Sequence, residues 1–230
     1  MLFRRGDLAP CSTRVAFPAE PPPLPASGPA KAASPAPESL RDIIWRAQVG
    51  TAIGASRPSD PELAQSGDGA VTEDRGTGCL KVVSPRTAGA YLPANGSFEA
   101  GPLRCNILGG GSATVWASSL DGDRSLDDAR RVVLFHVTDV RADGYRLKDG
   151  DPSVLECYGK MPLVARVGEA EVLLSRRNGR PCTVWALDLS GKRIEEVPSR
   201  IVNGALSFRA MVAGPPGARF VYEIAEKTVE

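Results

Sequence analysis

From residue 76 onward the chain breaks into short runs of β-forming residues, each closed within a few positions by Gly, Pro, Asn or Asp. Long helical periodicity is absent between them, which argues against a parallel sheet with crossover helices. Strands are expected at 79–83, 86–92, 103–108, 113–118, 132–138, 154–158, 162–166, 171–174, 182–187, 193–197, 205–208 and 220–224. Frequent short strands with turn signals between them predict a mainly β chain, an antiparallel β-sandwich. At 230 residues there is room for one large β domain or two small ones.

The N-terminal region reads differently. Residues 18–37 are dominated by Pro, Ala and Ser, and such a run neither pairs as a strand nor continues a helix. Residues 1–38 are therefore expected to form a disordered tail or linker. Residues 39–62 are expected to form a short helix and a connector. Ser39 can cap that helix, and Leu40, Ile43, Ile44 and Ala47 fall on one face. Thr114–Gly122 (TVWASSLDG) echoes Thr183–Gly191 (TVWALDLSG) at six of nine positions. The echo fits two similar hairpin entries in one sandwich. It also fits two packed β subdomains, 63–150 and 151–230.

Charge narrows the partners. Lys and Arg number 28 against 27 Asp and Glu, so there is no electrostatic case for nucleic acid or an anionic membrane. Isolated basic pairs such as Arg176-Arg177 read as solvated surface. Five cysteines at wide spacing, with no C-x-x-C pair and a single histidine, make a poor disulfide framework and a poor zinc site. Buried free thiols are expected instead. The N-terminus has no apolar leader region and no stretch reaches membrane-span length, so the default expectation is cytoplasmic.

Three stretches carry a family resemblance. Ser66–Thr87 holds a Ser-Gly-Asp-Gly turn, Asp74-Arg75 and Ser84-Pro85-Arg86-Thr87. Ala113–Val140 holds a strand, a Ser-Leu-Asp-Gly turn and a second apolar strand, while Tyr158–Pro198 includes the hairpin Ala186-Leu187-Asp188-Leu189-Ser190-Gly191-Lys192-Arg193. In this order they resemble the β-sandwich region that follows the catalytic barrel in a group of bacterial glycoside-hydrolase-like proteins. A (β/α)8 barrel takes about 250 residues, and no alternating βα pattern is present here. The resemblance thus implies a non-catalytic accessory region that supports or docks a sugar-cleaving domain. No catalytic residue is carried over, and the isolated chain is expected not to hydrolyse glycosides.

The residues themselves leave two alternatives open. The first is an independent carbohydrate-binding module. Thr114, Trp116 and Ser118 share one face of their strand, and an exposed indole there could stack on a sugar ring. Trp185 alternates with Thr183 and Leu187 and reads as core. The second is a small glycosidase, which needs two carboxyl groups about 5–10 Å apart across a cleft. Glu99, Asp121, Asp123, Asp139, Glu156 and Glu169 are candidates, although most sit in expected turns. Asp121, Asp123 and Asp127 place oxygens at close spacing in one acidic loop, a possible calcium site without the full EF-hand pattern. His136 reads as a structural strand histidine. Gly109-Gly110-Gly111 lacks the helix and lysine of a phosphate-binding loop.

Overall fold

The computed structural model describes residues 63–65, 70–74, 76–149, 151–177, 179–215 and 217–227. The expected Pro-rich tail and the expected helix at 39–47 lie outside these residues. Among the described residues every regular element is a strand, and every pairing is antiparallel.

Two sheets make the sandwich. The larger runs in the order β1 (Leu63–Gln65), β2 (Val71–Asp74), β3 (Cys79–Val83), β4 (Thr87–Leu92), β7 (Ala113–Ser119), β8 (Arg131–Val137), β18 (Val221–Glu226), β14 (Cys182–Leu187) and β15 (Arg193–Val197). The smaller runs in the order β16 (Ser199–Val202), β17 (Ala205–Met211), β13 (Glu169–Ser175), β6 (Leu103–Gly109) and β5 (Ser97–Ala100). Two further pairs join β9 (Val140–Asp143) to β12 (Lys160–Ala165) and β10 (Arg146–Lys148) to β11 (Asp151–Cys157). All twelve expected runs are strands. The suspected boundary near residue 150 does not separate two sheets, because each sheet takes strands from both sides of it. Both echo segments, β7 and β14, lie in the larger sheet.

Alternation sets the layers. In β7 the residues Ala113, Val115, Ala117 and Ser119 are buried while Thr114, Trp116 and Ser118 are half-buried. The inner face of the larger sheet is rich in small residues, among them Ala88, Ala90, Ala117 and Ala186. Leu103, Ile107, Leu174, Leu206 and Phe208 of the smaller sheet belong to the same core. Leu92, Leu134, Tyr222 and Ile224 also lie on the larger sheet's inner face, and Ala100, Ala170 and Ala210 on the smaller one's, so large and small residues alternate across the two faces and interdigitate about 10 Å apart.

The Ser84-Pro85-Arg86-Thr87 motif builds this fold. Ser84 Oγ accepts from Thr87 N at 3.1 Å, and Ser84 N donates to Thr87 O at 2.7 Å. Pro85 O accepts from Leu126 N and Arg86 O from Ser119 N, each at 2.8 Å, which fastens the following loop. That loop is fastened from the other side too. Arg176 is buried, against the expectation of a solvated basic pair: its guanidinium donates to the carbonyls of Leu126 and Ala129. Those carbonyls belong to an irregular loop and have no ladder to join, so a side chain must satisfy them. Cys105 and Cys182 are buried free thiols, and Cys79 and Cys157 are free and half-buried. Burial pushes the Cys105 thiol up to about 12.

His136 lies on the inner face of β8, fully buried, with no hydrogen-bond partner at either ring nitrogen. Burial pushes its pKa down to about 4, and the nearby Ala210 backbone offsets part of that shift. The unfolded chain therefore takes up this proton near the ordinary value of 6.5, before the folded one does. Stability is full above pH 6.5 and falls as pH drops from 6.5 toward 4. Between pH 7 and pH 5 the loss should be about 2 kcal/mol. Urea unfolding at the two pH values should show it, and His136→Leu should flatten it, since the chain has no other histidine.

Candidate functional site

Register places the outer face of the larger sheet residue by residue. Trp116 stands opposite Gly89 of β4 on one side and Phe135 of β8 on the other. The neighbouring row holds Leu80, Tyr91, Thr114 and Val137. Tyr91 is 44% exposed and Phe135 37% exposed, with Trp116 half-buried between their strands. Three aromatic side chains thus occupy three adjacent strands, a span of about 10 Å at the usual strand spacing. Gly89 makes room for the indole. A Cβ at that position would lie 2.8 Å from Trp116 Cε3 and 2.7 Å from Val115 O.

The polar neighbours of Trp116 are engaged within the protein. Its Nε1 donates to Ser118 Oγ at 3.2 Å, and Ser118 Oγ is 3.0 Å from Thr87 Oγ1. Thr114 faces Tyr91 and Val137. The indole ring is therefore presented without free hydroxyls directly beside its nitrogen.

Trp185 corrects the sequence reading. It is half-buried, and its register partner Glu223 connects through Val133 to Ser118, which puts it on the same outer face as Trp116. The buried face of β14 carries Val184 and Ala186. Arg193 lies over the Trp185 ring, its Cζ 5.2 Å from the centroid. Beside them Glu223, whose side chain is 5% exposed, accepts from Arg131 and from Arg193 at 2.7 Å each. The Arg193 hydrogen bond, seconded by Arg131, holds the Glu223 carboxyl below the usual range against the opposing effect of burial.

The acidic loop does not gather its carboxylates. Asp121 accepts from Arg130 N, and Asp127 accepts from Ser125 Oγ and from Arg177 Nε. Asp123 is exposed. No group of three or more His, Cys, Asp or Glu suited to a metal occurs among the described residues. Four of the candidate catalytic carboxylates are each tied to an arginine: Glu99 to Arg104, Asp139 to Arg141, Glu156 to Arg146 and Glu169 to Arg209. They lie on β5, at the entry to β9, on β11 and on β13.

One exposed apolar feature is not apparent from the sequence pattern. Asp143 pairs with Lys160 and Arg146 with Cys157, so β9–β10 and β11–β12 form one long, kinked hairpin between β8 and β13. The outgoing strand reaches about 30 Å. The strands of this arm contact one another and hardly touch the sandwich. Its base is fastened: Arg166 N donates to Asp139 O, Thr138 Oγ1 donates to Arg166 O at 2.6 Å, and the Arg166 guanidinium donates to Ser112 O. Beyond the base it is bare. Tyr158 is 82% exposed, Met161 78% and Leu163 60%, with Val140, Val154 and Val164 also exposed. The sequence signal was present in the unbroken apolar run Met161-Pro162-Leu163-Val164, which pattern alone cannot distinguish from a buried strand.

Comparison with known proteins returns no match: no family model, no curated protein and no solved structure.

Gly89→Ala should destabilise the fold by about 1–3 kcal/mol, because the colliding atoms include the Val115 and Trp116 backbone. Tyr91→Ala, two residues along the same face, should stay within about 0.5 kcal/mol. Chemical denaturation of the two variants checks the contrast.

Proposed function

We propose that this chain is a non-catalytic β-sandwich region of a glycoside-hydrolase-type protein that docks a sugar-cleaving domain through its arm. The observation that supports this reading is the arm's exposure. A two-stranded hairpin is marginally stable by itself in water, and an apolar one of this length calls for a cover. Neither sheet of its own sandwich supplies one. The glycoside-hydrolase context comes from the ordered motifs at 66–87, 113–140 and 158–198. Four of the six candidate carboxylates are tied to arginines, and they add no reason to place hydrolysis in this chain.

The aromatic row Tyr91, Trp116 and Phe135 favours a second reading, an independent carbohydrate-binding module that stacks sugar rings on the outer face of the larger sheet. The absence of free hydroxyls beside the indole nitrogen and the aliphatic Leu80 and Val137 around it weigh toward a protein partner.

Experiment separates the readings. The purified chain should release no product from a panel of aryl glycosides; turnover by the chain alone would overturn the docking reading. Added to bacterial (β/α)8 glycosidases, it should form a complex seen by sedimentation. The double substitution Met161→Glu with Leu163→Glu should weaken that complex at least about tenfold without lowering the thermal midpoint. Retention of the chain on polysaccharide affinity gels, lost in Trp116→Ala, would instead establish the carbohydrate reading.

A further inference from the structure

A cavity of about 500 Å³ opens where β15, the last strand of the larger sheet, passes through Pro198 into β16, the edge strand of the smaller. The strand pattern creates it. β16 pairs with Ala205–Phe208 of β17 and stops there, so Arg209–Met211 has no neighbouring strand on that side among the described residues. At the gap the lining includes two rings from opposite sheets. Phe208 and Tyr222 are buried in its wall, with ring centres 6.0 Å apart and planes at 50°. Val197, Pro198 and Met211 adjoin them, and most of the cavity surface is apolar.

The charged groups of the lining are already matched. Arg219 donates to the Glu195 carboxylate, Arg209 donates to Glu169 at 2.8 Å, and Glu171 accepts from Asn106 at 3.3 Å. Arg200 is exposed, and a charge standing in water is screened. Tyr222 Oη donates to Met211 O at 2.7 Å, so the hydroxyl is engaged and the ring is what the cavity offers. An ionic guest would give up its hydration here without finding a free counter-charge, which is costly. An uncharged apolar guest has no such cost, and it removes its own apolar surface and that of the wall from water.

We infer that this cavity binds an uncharged, flat apolar molecule of about two fused rings. The guest lies against Val197, Phe208 and Tyr222, and the paired charges around it stay as they are. Shape follows from position: the gap lies between two sheets stacked about 10 Å apart, side chains included, which suits a flat body better than a globular one. The uncovered stretch of β17 runs about 10 Å, the length of a two-ring system. The volume lies within the range of small-molecule clefts, about 300–1,000 Å³, and a mostly apolar wall is their usual build. None of the lining residues belongs to the arm or to the aromatic row, so this inference does not rest on the docking reading.

Titration calorimetry with 2-naphthol, uncharged at neutral pH, and with the anion 2-naphthoate tests the assignment. The neutral compound should bind at least about tenfold more tightly than the anion. In methyl NMR spectra, 2-naphthol should shift the resonances of Val197 and Met211. Ser199→Trp, which fills the mouth from an exposed edge position, should weaken 2-naphthol at least about tenfold with the thermal midpoint unchanged. Trp116→Ala should leave its affinity unchanged. Should Ser199→Trp fail to fold, the wild-type spectra and the comparison of the two compounds still decide. No binding of 2-naphthol at about 1 mM, equal or tighter binding of 2-naphthoate, full affinity in a folded Ser199→Trp, or the absence of shifts at Val197 and Met211 would overturn it.

Discussion

Everything on the larger sheet follows from how closely the smaller sheet approaches it. Ala88, Ala90 and Ala117 on β4 and β7, and Ala186 on β14, keep the inner face thin on either side of Leu134, Tyr222 and Ile224, and Phe208, Leu206 and Leu174 belong to the same core from the other side. A large ring on the inner face of β7 or β14 would force the sheets apart. The two tryptophans of the echo segments therefore stand outside, and the face turned away from the core becomes the aromatic one. Small inner residues on β7 and β14 thus go with apolar rings on their outer face.

That relation explains what could be read from the sequence. Strand existence was legible because the runs are apolar, short and punctuated. The missed strands have other signatures. β2 is Val-Thr-Glu-Asp and β10 is Arg-Leu-Lys, too polar and too brief to register, and β16 follows β15 across one proline. Period-two alternation grouped Thr114, Trp116 and Ser118 on one face of β7 without settling whether that face is covered, and it misjudged β14. Alternation separates two faces without saying which is inside, and size is a poor guide when the inner face needs alanine. The register of β14 with β18 decides it, and register is a tertiary property.

Loops were less legible for a related reason. The segment 120–130 looks solvated by composition, yet it is pinned from above by the turn at 84–87 and from below by Arg176 and Arg177. Two of the carboxylates that suggested a cation site, Asp121 and Asp127, are engaged by the backbone of Arg130 and the guanidinium of Arg177. Two adjacent arginines do different work: Arg176 satisfies carbonyls inside, and Arg177 holds Asp127 nearer the surface. No local pattern encodes that division, because both partners lie about 50 residues away in sequence.

The arm's base has a further meaning for the history of such chains. Arg166 N bonds to Asp139 O and Thr138 Oγ1 to Arg166 O, so the two strands are already joined before the hairpin leaves the sandwich. The ends of the excursion stay together whatever lies beyond them. Closing a longer or shorter loop across a fixed gap changes chain entropy only slowly with length. The segment between residues 139 and 166 is thus a site where sequence can be gained, trimmed or exchanged with little consequence for the sheets on either side. The sandwich, with its buried histidine and closely packed core, has no such latitude, since a change of even one methylene there is felt by its neighbours.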